Sequence, residues 1–329
     1  MPDAHLPSHV GRRRPPDDVT RVLLIAGAQR SGSTLLDRVI GSHEGFCSVG
    51  EAHIIWGGSF EQNRLCGCGL PFRECAFWGE VSRKAFGIDT AQIDQTTAVR
   101  LRNSVSRIRY VPWLALPRRP RRYESALLAY SELIERLYPA IQQVSGAQVI
   151  VDSSKSPAHG LILARLPNFE VHVVHLIRDP RAVAFSWQRQ RRNPEVHWKA
   201  EDMPIERVWS SAARWLIQNG PTELLAASAA SYSRLRYEDF VKDPSAALSK
   251  ILSPYEWVRD ELKDAGDIEI TLEPTHTVSG NPMRFKHGKL QLKLDDEWRS
   301  AMPSRERRLV TAITWPLLMR YGYPLGSGA

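Results

Sequence analysis

Gly27-Ala28-Gln29-Arg30-Ser31-Gly32-Ser33-Thr34 is the stretch of this sequence with the clearest chemical meaning. Two glycines let the backbone wrap, and successive N–H groups running into a helix N-terminus face an anion. The glycine spacing matches G-x-x-x-x-G-K-[ST], the phosphate-cradling loop, but Ser33 stands where that pattern has lysine. In nucleoside triphosphatases this lysine reaches the β- and γ-phosphates, so its loss counts against a nucleotide kinase or NTPase built on the same loop. Arg30 brings positive charge into the loop from another direction, and Ser31, Ser33 and Thr34 add hydroxyl donors. The plainer alternative is a glycine turn capped by Ser and Thr; a buried strand before it and an amphipathic helix after it argue for the anion site. A second stretch, VVHLIRDPRAVAFSW, ends a strand at Arg178 and places Ser186 eight residues on, about two helical turns along. Arginine supplies bidentate donors and serine a hydroxyl, a pair suited to a terminal phosphate monoester.

Together these motifs resemble the PAPS-dependent sulfotransferases, enzymes that use 3′-phosphoadenosine 5′-phosphosulfate (PAPS) as donor. AGAQRSGSTLL is similar to the R-S-G-[ST]-T phosphosulfate loop of the Golgi-type, tyrosylprotein and bacterial members, and the Arg178/Ser186 stretch to the family's 3′-phosphate motif. RYEDF at 236–240 and HTVSGNPMRF at 276–285 also look like sulfotransferase elements, so the resemblance covers roughly residues 21–300. It implies PAPS as donor cosubstrate, adenosine 3′,5′-bisphosphate as product, no required metal and a small-molecule acceptor: an alcohol, phenol, lipid or sugar of a bacterial biosynthetic pathway. The family places a lysine near the bridging oxygen, here Lys155, where with Arg30 it would neutralise the leaving side.

The acceptor hydroxyl needs a base. Glu51 follows Val49-Gly50 at a strand end, where α/β sheets line their ligand crevice, and the Gly-Glu pair resembles the tyrosylprotein sulfotransferase site. Burial would have to lift its pKa; the alternative is a carboxylate favoured by a helix N-terminus. His53 is the rival base, since histidine titrates in the right range unaided. Ser279 is expected at the sulfuryl or phosphate oxygens and Arg284 at the 3′-phosphate, both presented by the Gly280-Asn281-Pro282 turn. Tyr237 or Trp187 could stack on adenine. Trp56, Phe60, Trp78, Trp113 and Trp198 could line an apolar acceptor pocket, and Arg118 to Arg122 could meet an anionic acceptor.

Histidines and carboxylates show no metal-site spacing. Cys66, Cys68 and Cys75 form C-x-C-x₆-C, which is neither a zinc-ribbon nor a zinc-finger pattern. A structural metal with Cys47 as fourth ligand, a disulfide formed on oxidation, and plain thiols all remain open; four cysteines in 329 residues argue against a disulfide scaffold.

Elements that alternate must position these groups. Strands are expected at 21–27, 46–49, 148–151, 170–177 and 233–236. Helices are expected at 34–40, 91–144 (broken near 112–120), 157–166, 180–191, 205–229, 244–252 and 304–320, with 58–78 as a loop or lid. That alternation predicts a P-loop-type, three-layer α/β fold with a central parallel sheet and a helical insertion. Residues 21–329 read as one domain, with 52–145 an insertion that contributes to the acceptor pocket and 1–20 a disordered arm. A net charge of +8 favours anionic ligands, met by a multiply charged nucleotide without invoking nucleic acid. No apolar run reaches the ~20 residues of a membrane span and no secretory h-region is present, so a cytoplasmic enzyme is expected. A homo-oligomer and a non-catalytic binder of phosphorylated ligands remain open.

Overall fold

Thr20–Gly27 (β1) is hydrophobic without interruption because both of its faces are covered. Val22 and Leu24 join one buried cluster and Leu23 and Ile25 the other, as the two-residue period of a strand requires. The computed structural model describes residues 19–116, 119–258 and 270–326. β1 is the central strand of a five-stranded sheet with β2 (Phe46–Gly50), β3 (Val149–Lys155), β4 (Phe169–Ile177) and β5 (Ser231–Arg236). All pairings are parallel, in the order β2-β3-β1-β4-β5. The chain fills one side of β1 and then crosses to the other, which opens a crevice beyond the strands' carboxyl ends.

One face of the sheet is covered by α1 (Ser33–Ile40), α9 (Tyr237–Lys242) and α10 (Pro244–Ile251), whose Leu36, Phe240 and Leu248 are fully buried. The opposite face carries α2 (Ala76–Phe86), α3 (Gln95–Val105), α4 (Val111–Ala115), α5 (Arg121–Ser145) and α6 (Pro157–Leu163). Arg178 is followed by α7 (Pro180–Gln188) and then α8 (Val208–Thr222). A helix at Ser304–Arg320 packs beside both. Ile270–Leu272 (β6) and Gly288–Leu290 (β7) form a separate antiparallel pair.

The insertion shares the sheet's core: Trp56, Trp78, Leu114 and Tyr130 lie in the same buried cluster as Val22, Leu24 and Ile150. This corrects two expectations. Residues 58–78 are not a lid: short helical turns at Trp56–Glu61 and Phe72–Glu74 flank the expected loop at 62–71, and the second leads into α2. Their aromatics each fill a slot without any period, so periodicity could not find them. Trp56, Phe60 and Trp78 are therefore core rather than acceptor pocket, whereas Trp113 and Trp198 are 38% and 50% exposed. The basic cluster is described only from Arg119, which pairs with Glu124 at 3.3 Å; Arg118 and the N-terminal arm before residue 19 lie outside the described residues. Among the described residues no helix is long and apolar enough to cross a membrane.

α1 carries a buried carboxyl. Burial, with Asp152 nearby, pushes Asp37 up to about 7 against the pull of the Ser48 hydroxyl that donates to it. The folded state then holds a proton that the unfolded chain has released, so stability should fall as pH rises from about 4 to about 7. At ~1.4 kcal/mol per pH unit the loss is a few kcal/mol. Urea midpoints should decline across this range in the wild type and flatten in Asp37→Asn; equal slopes would refute the assignment.

Candidate functional site

Each strand of the parallel sheet delivers a polar or charged residue at or just beyond its carboxyl end. Arg30 follows β1, Glu51 follows β2, Lys155 is the last residue of β3, Arg178 follows β4 and Tyr237 follows β5. All five line one cleft of about 440 Å³, together with Gly32, Ser33, Thr34, Ser186 and Ser279. A wider groove of about 550 Å³ lies along β5 and α10, but its Arg236 and Arg320 already face Asp239 and Glu223.

Local backbone geometry aims these groups. Gly32 caps α1 with φ +88°, and a Cβ there would stand 2.5 Å from the Tyr237 ring, so only glycine fits. α1 begins without a side-chain cap, which leaves its first N–H groups for an anion. β3 bulges between Asp152 and Lys155 against Leu24 and Ala26 of β1, and Lys155 emerges with φ +60°. Arg30 and Ser279 are also left-handed, at φ +64° and +57°. Such a backbone costs a non-glycine residue ~1–2 kcal/mol; among the described residues the one other case is Asn63.

The cleft holds five cations, Arg30, Arg64, Lys155, Arg178 and Arg191, against the carboxylates Glu51, Glu195 and Asp295. Lys155 Nζ sits 2.7 Å from Glu51 Oε1 and donates to the Ser153 carbonyl at 2.9 Å. The Arg30 guanidinium lies 4.6 Å over Trp187, and burial with Arg191 beside it pulls its pKa below the ordinary value. Arg178 donates to the Arg30 carbonyl at 3.2 Å and to the Asp295 carbonyl at 3.0 Å, while the Asp295 carboxylate lies 3.1 Å away. Its Nε, like the Ser31 Oγ, is buried without a hydrogen-bond partner. Uncapped helix, crowded cations and orphaned donors all gain from a bound polyanion, since an unpaired buried donor costs ~1–3 kcal/mol.

The motifs around Arg178 divide their labour. Asp179 caps α7 and pairs with Arg181 at 2.7 Å, leaving Arg178 to the cleft. Glu238 of the RYEDF stretch accepts from the Asp179 N–H at 3.0 Å and from the Tyr323 hydroxyl at 2.6 Å. That stretch therefore locks the end of β4 in place.

Two expected residues are elsewhere. His53 turns inward beside His159, ring centroids 6.0 Å apart, and burial holds it well below the ordinary histidine value. It does not line the cleft, so it is not placed to act as base. Arg284 is fully buried, donates to the Thr277 and Leu65 carbonyls and lies 3.3 Å from Glu195. It holds the segment behind the cleft instead of a phosphate. Tyr237 and Trp187 do line the cleft, yet each already carries a guanidinium on its ring, Arg178 and Arg30 respectively, both at 4.6 Å.

Glu195, Arg191 and Asp295 were missed. None of the three sits in a recognisable motif, and contacts distant in sequence bring them to the cleft. Glu195 is 4% exposed, and burial pushes its carboxyl up, against Arg284 and Arg64.

A model described as the sulfotransferase family matches residues 23–258 of this chain. The chain belongs to the sulfotransferase family. The matched range of this sulfotransferase holds Arg30, Glu51, Lys155, Arg178, Ser186 and Tyr237, whereas Ser279 and Asp295 lie beyond it. No curated protein matches the sequence. Among solved structures it is similar to the sulfotransferase domain from the Synechococcus PCC 7002 olefin synthase, at 19% identity and TM-score 0.47, over 96% of this chain and 100% of that one. The sulfotransferase domain from the curacin biosynthetic pathway matches at 17% identity and TM-score 0.48, over 94% and 99%. The sulfotransferase STF9 from Mycobacterium avium matches at 12% identity and TM-score 0.40, over 93% and 78%.

Proposed function

We propose that this sulfotransferase moves the sulfuryl group of PAPS onto the hydroxyl of a small-molecule acceptor. The observation that supports this most is the convergence of Arg30, Lys155, Arg178 and Ser186 with an uncapped helix N-terminus on one cleft that also holds Glu51. PAPS would supply an activated sulfuryl group and a stable leaving group, adenosine 3′,5′-bisphosphate. Residues 28–34 would hold the 5′-phosphosulfate, and Arg178 with Ser186 the 3′-phosphate, for which Arg178 would exchange its Asp295 partner. The acceptor oxygen forms a bond to sulfur as the bond from sulfur to the bridging phosphate oxygen breaks. Glu51 takes the hydroxyl proton, and Lys155 and Arg30 neutralise the charge left on the phosphate. Ile54, Arg64, Met203 and Pro204 are among the other residues lining the cleft and would form the acceptor side.

Two measurements test this. Calorimetry should show adenosine 3′,5′-bisphosphate binding to the pure chain, and labelled PAPS offered with a panel of hydroxylated metabolites should label at least one; absence of nucleotide binding overturns the reading. Glu51→Gln should lower kcat by ~10²–10⁴ with donor affinity kept, and full activity in that variant would remove Glu51 as the base.

A further inference from the structure

The cysteines left over from the site gather around a histidine. Cys66, Cys68 and Cys75 arrive from one loop and His276 from a segment 201 residues after Cys75, and their ligand atoms all lie within 4.8 Å of one another. Cys75 Sγ is 3.3 Å from His276 Nδ1, Cys66 Sγ is 3.9 Å from the same nitrogen, and Cys68 Sγ is 3.8 Å from Cys75 Sγ. A tetrahedral zinc with Zn–S of ~2.3 Å and Zn–N of ~2.0 Å has sulfur–sulfur edges of about 3.8 Å and sulfur–nitrogen edges of about 3.5 Å. These three separations match the edges of that tetrahedron to within a few tenths of an ångström, and no pair of the four atoms is more than 4.8 Å apart. Cys47, one candidate for a fourth ligand, is on β2 beside Ser145 and takes no part.

We propose that Cys66, Cys68, Cys75 and His276 form a structural zinc site. Three thiolates and an imidazole are a soft-to-borderline set that selects zinc over magnesium or calcium, and four protein ligands close the coordination sphere against substrate. The surroundings are built for it. The Phe77 ring stacks on the His276 ring at 4.7 Å and 6°, fixing the side that faces the sulfurs, and Trp78 Nε1 donates to the His276 carbonyl at 2.8 Å. Stacking on one face and anchoring of the backbone together restrict how the His276 ring can turn. The cysteine loop closes tightly, with the Gly69 N–H on the Cys66 carbonyl at 2.9 Å and the Cys66 N–H on the Leu70 carbonyl at 2.8 Å. At Gly67 a Cβ would stand 2.4 Å from Thr277 Oγ1 and 2.6 Å from the Thr275 carbonyl, so the loop meets the histidine segment backbone to backbone.

The position gives the ion its task. The Gly67 N–H donates to the Thr277 carbonyl, the Val278 N–H to Val49, and the Glu51 N–H back to the Val278 carbonyl at 2.8 Å. The same segment continues into Ser279 at the cleft. A zinc ion therefore rivets the segment that holds both Glu51 and Ser279 to the insertion, without touching the reacting atoms.

Metal content settles the matter independently of any donor or acceptor. The full chain, purified without chelator, should carry one zinc per chain by plasma mass spectrometry. Exchange with cobalt(II) alone should give the intense visible bands and thiolate charge transfer of a tetrahedral sulfur-rich site. Cys68→Ser and His276→Ala should lose the zinc, or bind it at least tenfold more weakly, while Cys47→Ser keeps it. Zinc removal should speed hydrogen exchange at the Val278 and Glu51 amides. A wild-type chain without zinc, with every cysteine open to a thiol reagent or with a mass two hydrogens short from a Cys68–Cys75 disulfide, would overturn the proposal, and so would zinc retained in both ligand variants.

Discussion

Lys155→Met should lower kcat by ~10³ or more while the affinity for adenosine 3′,5′-bisphosphate changes by less than tenfold. Methionine keeps the length of the stem in a buried place and removes only the charge. That charge is pre-positioned: the ammonium is held by the Ser153 carbonyl at 2.9 Å and by Glu51 at 2.7 Å, so it need not reorganise as the phosphate oxygen gains charge. Loss of one such donor costs ~2.7–4 kcal/mol, or 10²–10³ in rate, and a full cation in a partly dry cleft belongs at or above the top of that range. Because the variant also leaves Glu51 unpaired, the double variant Lys155→Met/Glu51→Gln separates the two roles. If the double is no slower than Lys155→Met alone, the pair acts as one unit, as coupled groups do. Single-turnover rates with saturating PAPS are the measurement, and a fall in kcat smaller than tenfold would remove Lys155 from the leaving-group side.

Arg178→Ala should act on binding. With one or two charge-assisted hydrogen bonds to a phosphate lost at ~1.5–3 kcal/mol each, donor Kd and KM should rise about 10²–10³-fold with kcat within a few fold. The split between KM and kcat is diagnostic, because a group that grips the donor equally before and during transfer changes affinity alone. The desulfated analogue that lacks the 3′-phosphate should bind wild type and Arg178→Ala equally. A difference in Kd between wild type and Arg178→Ala that persists with that analogue would place Arg178 somewhere other than the 3′-phosphate.

The frame of this protein is legible from its residues because its signals are local. Val22 to Gly27 must be a buried strand whichever neighbours it finds, and a glycine-bounded loop between strand and helix has few other uses. Arg178 and Ser186 are set by eight residues of strand end and helix. What was not legible depends on contacts distant in sequence. His276 lies 201 residues from the cysteine it meets, so the C-x-C-x₆-C spacing looked one ligand short. Asp295 reaches Arg178 from a stretch with no motif. The place of Arg284 is not legible in the sequence because a turn that presents a side chain outward and one that buries it have the same Gly-Asn-Pro signature; the carbonyls of Leu65 and Thr277 decide between them. His53 shows the same limit: two residues beyond Glu51 the chain has turned so that the ring packs beside His159, away from the cleft.

The left-handed backbones at Arg30, Lys155 and Ser279 carry a consequence for how this chemistry can travel between proteins. A peptide copying any one of these turns would relax to the right-handed region and point its side chain elsewhere, since the conformation is uphill by ~1–2 kcal/mol per residue. Only the sheet, α1 and the 275–285 segment acting together hold all three. The placement of these three side chains is thus a property of the whole scaffold and cannot be grafted loop by loop, whereas Ile54, Met203 and Pro204 on the cleft wall carry no left-handed backbone.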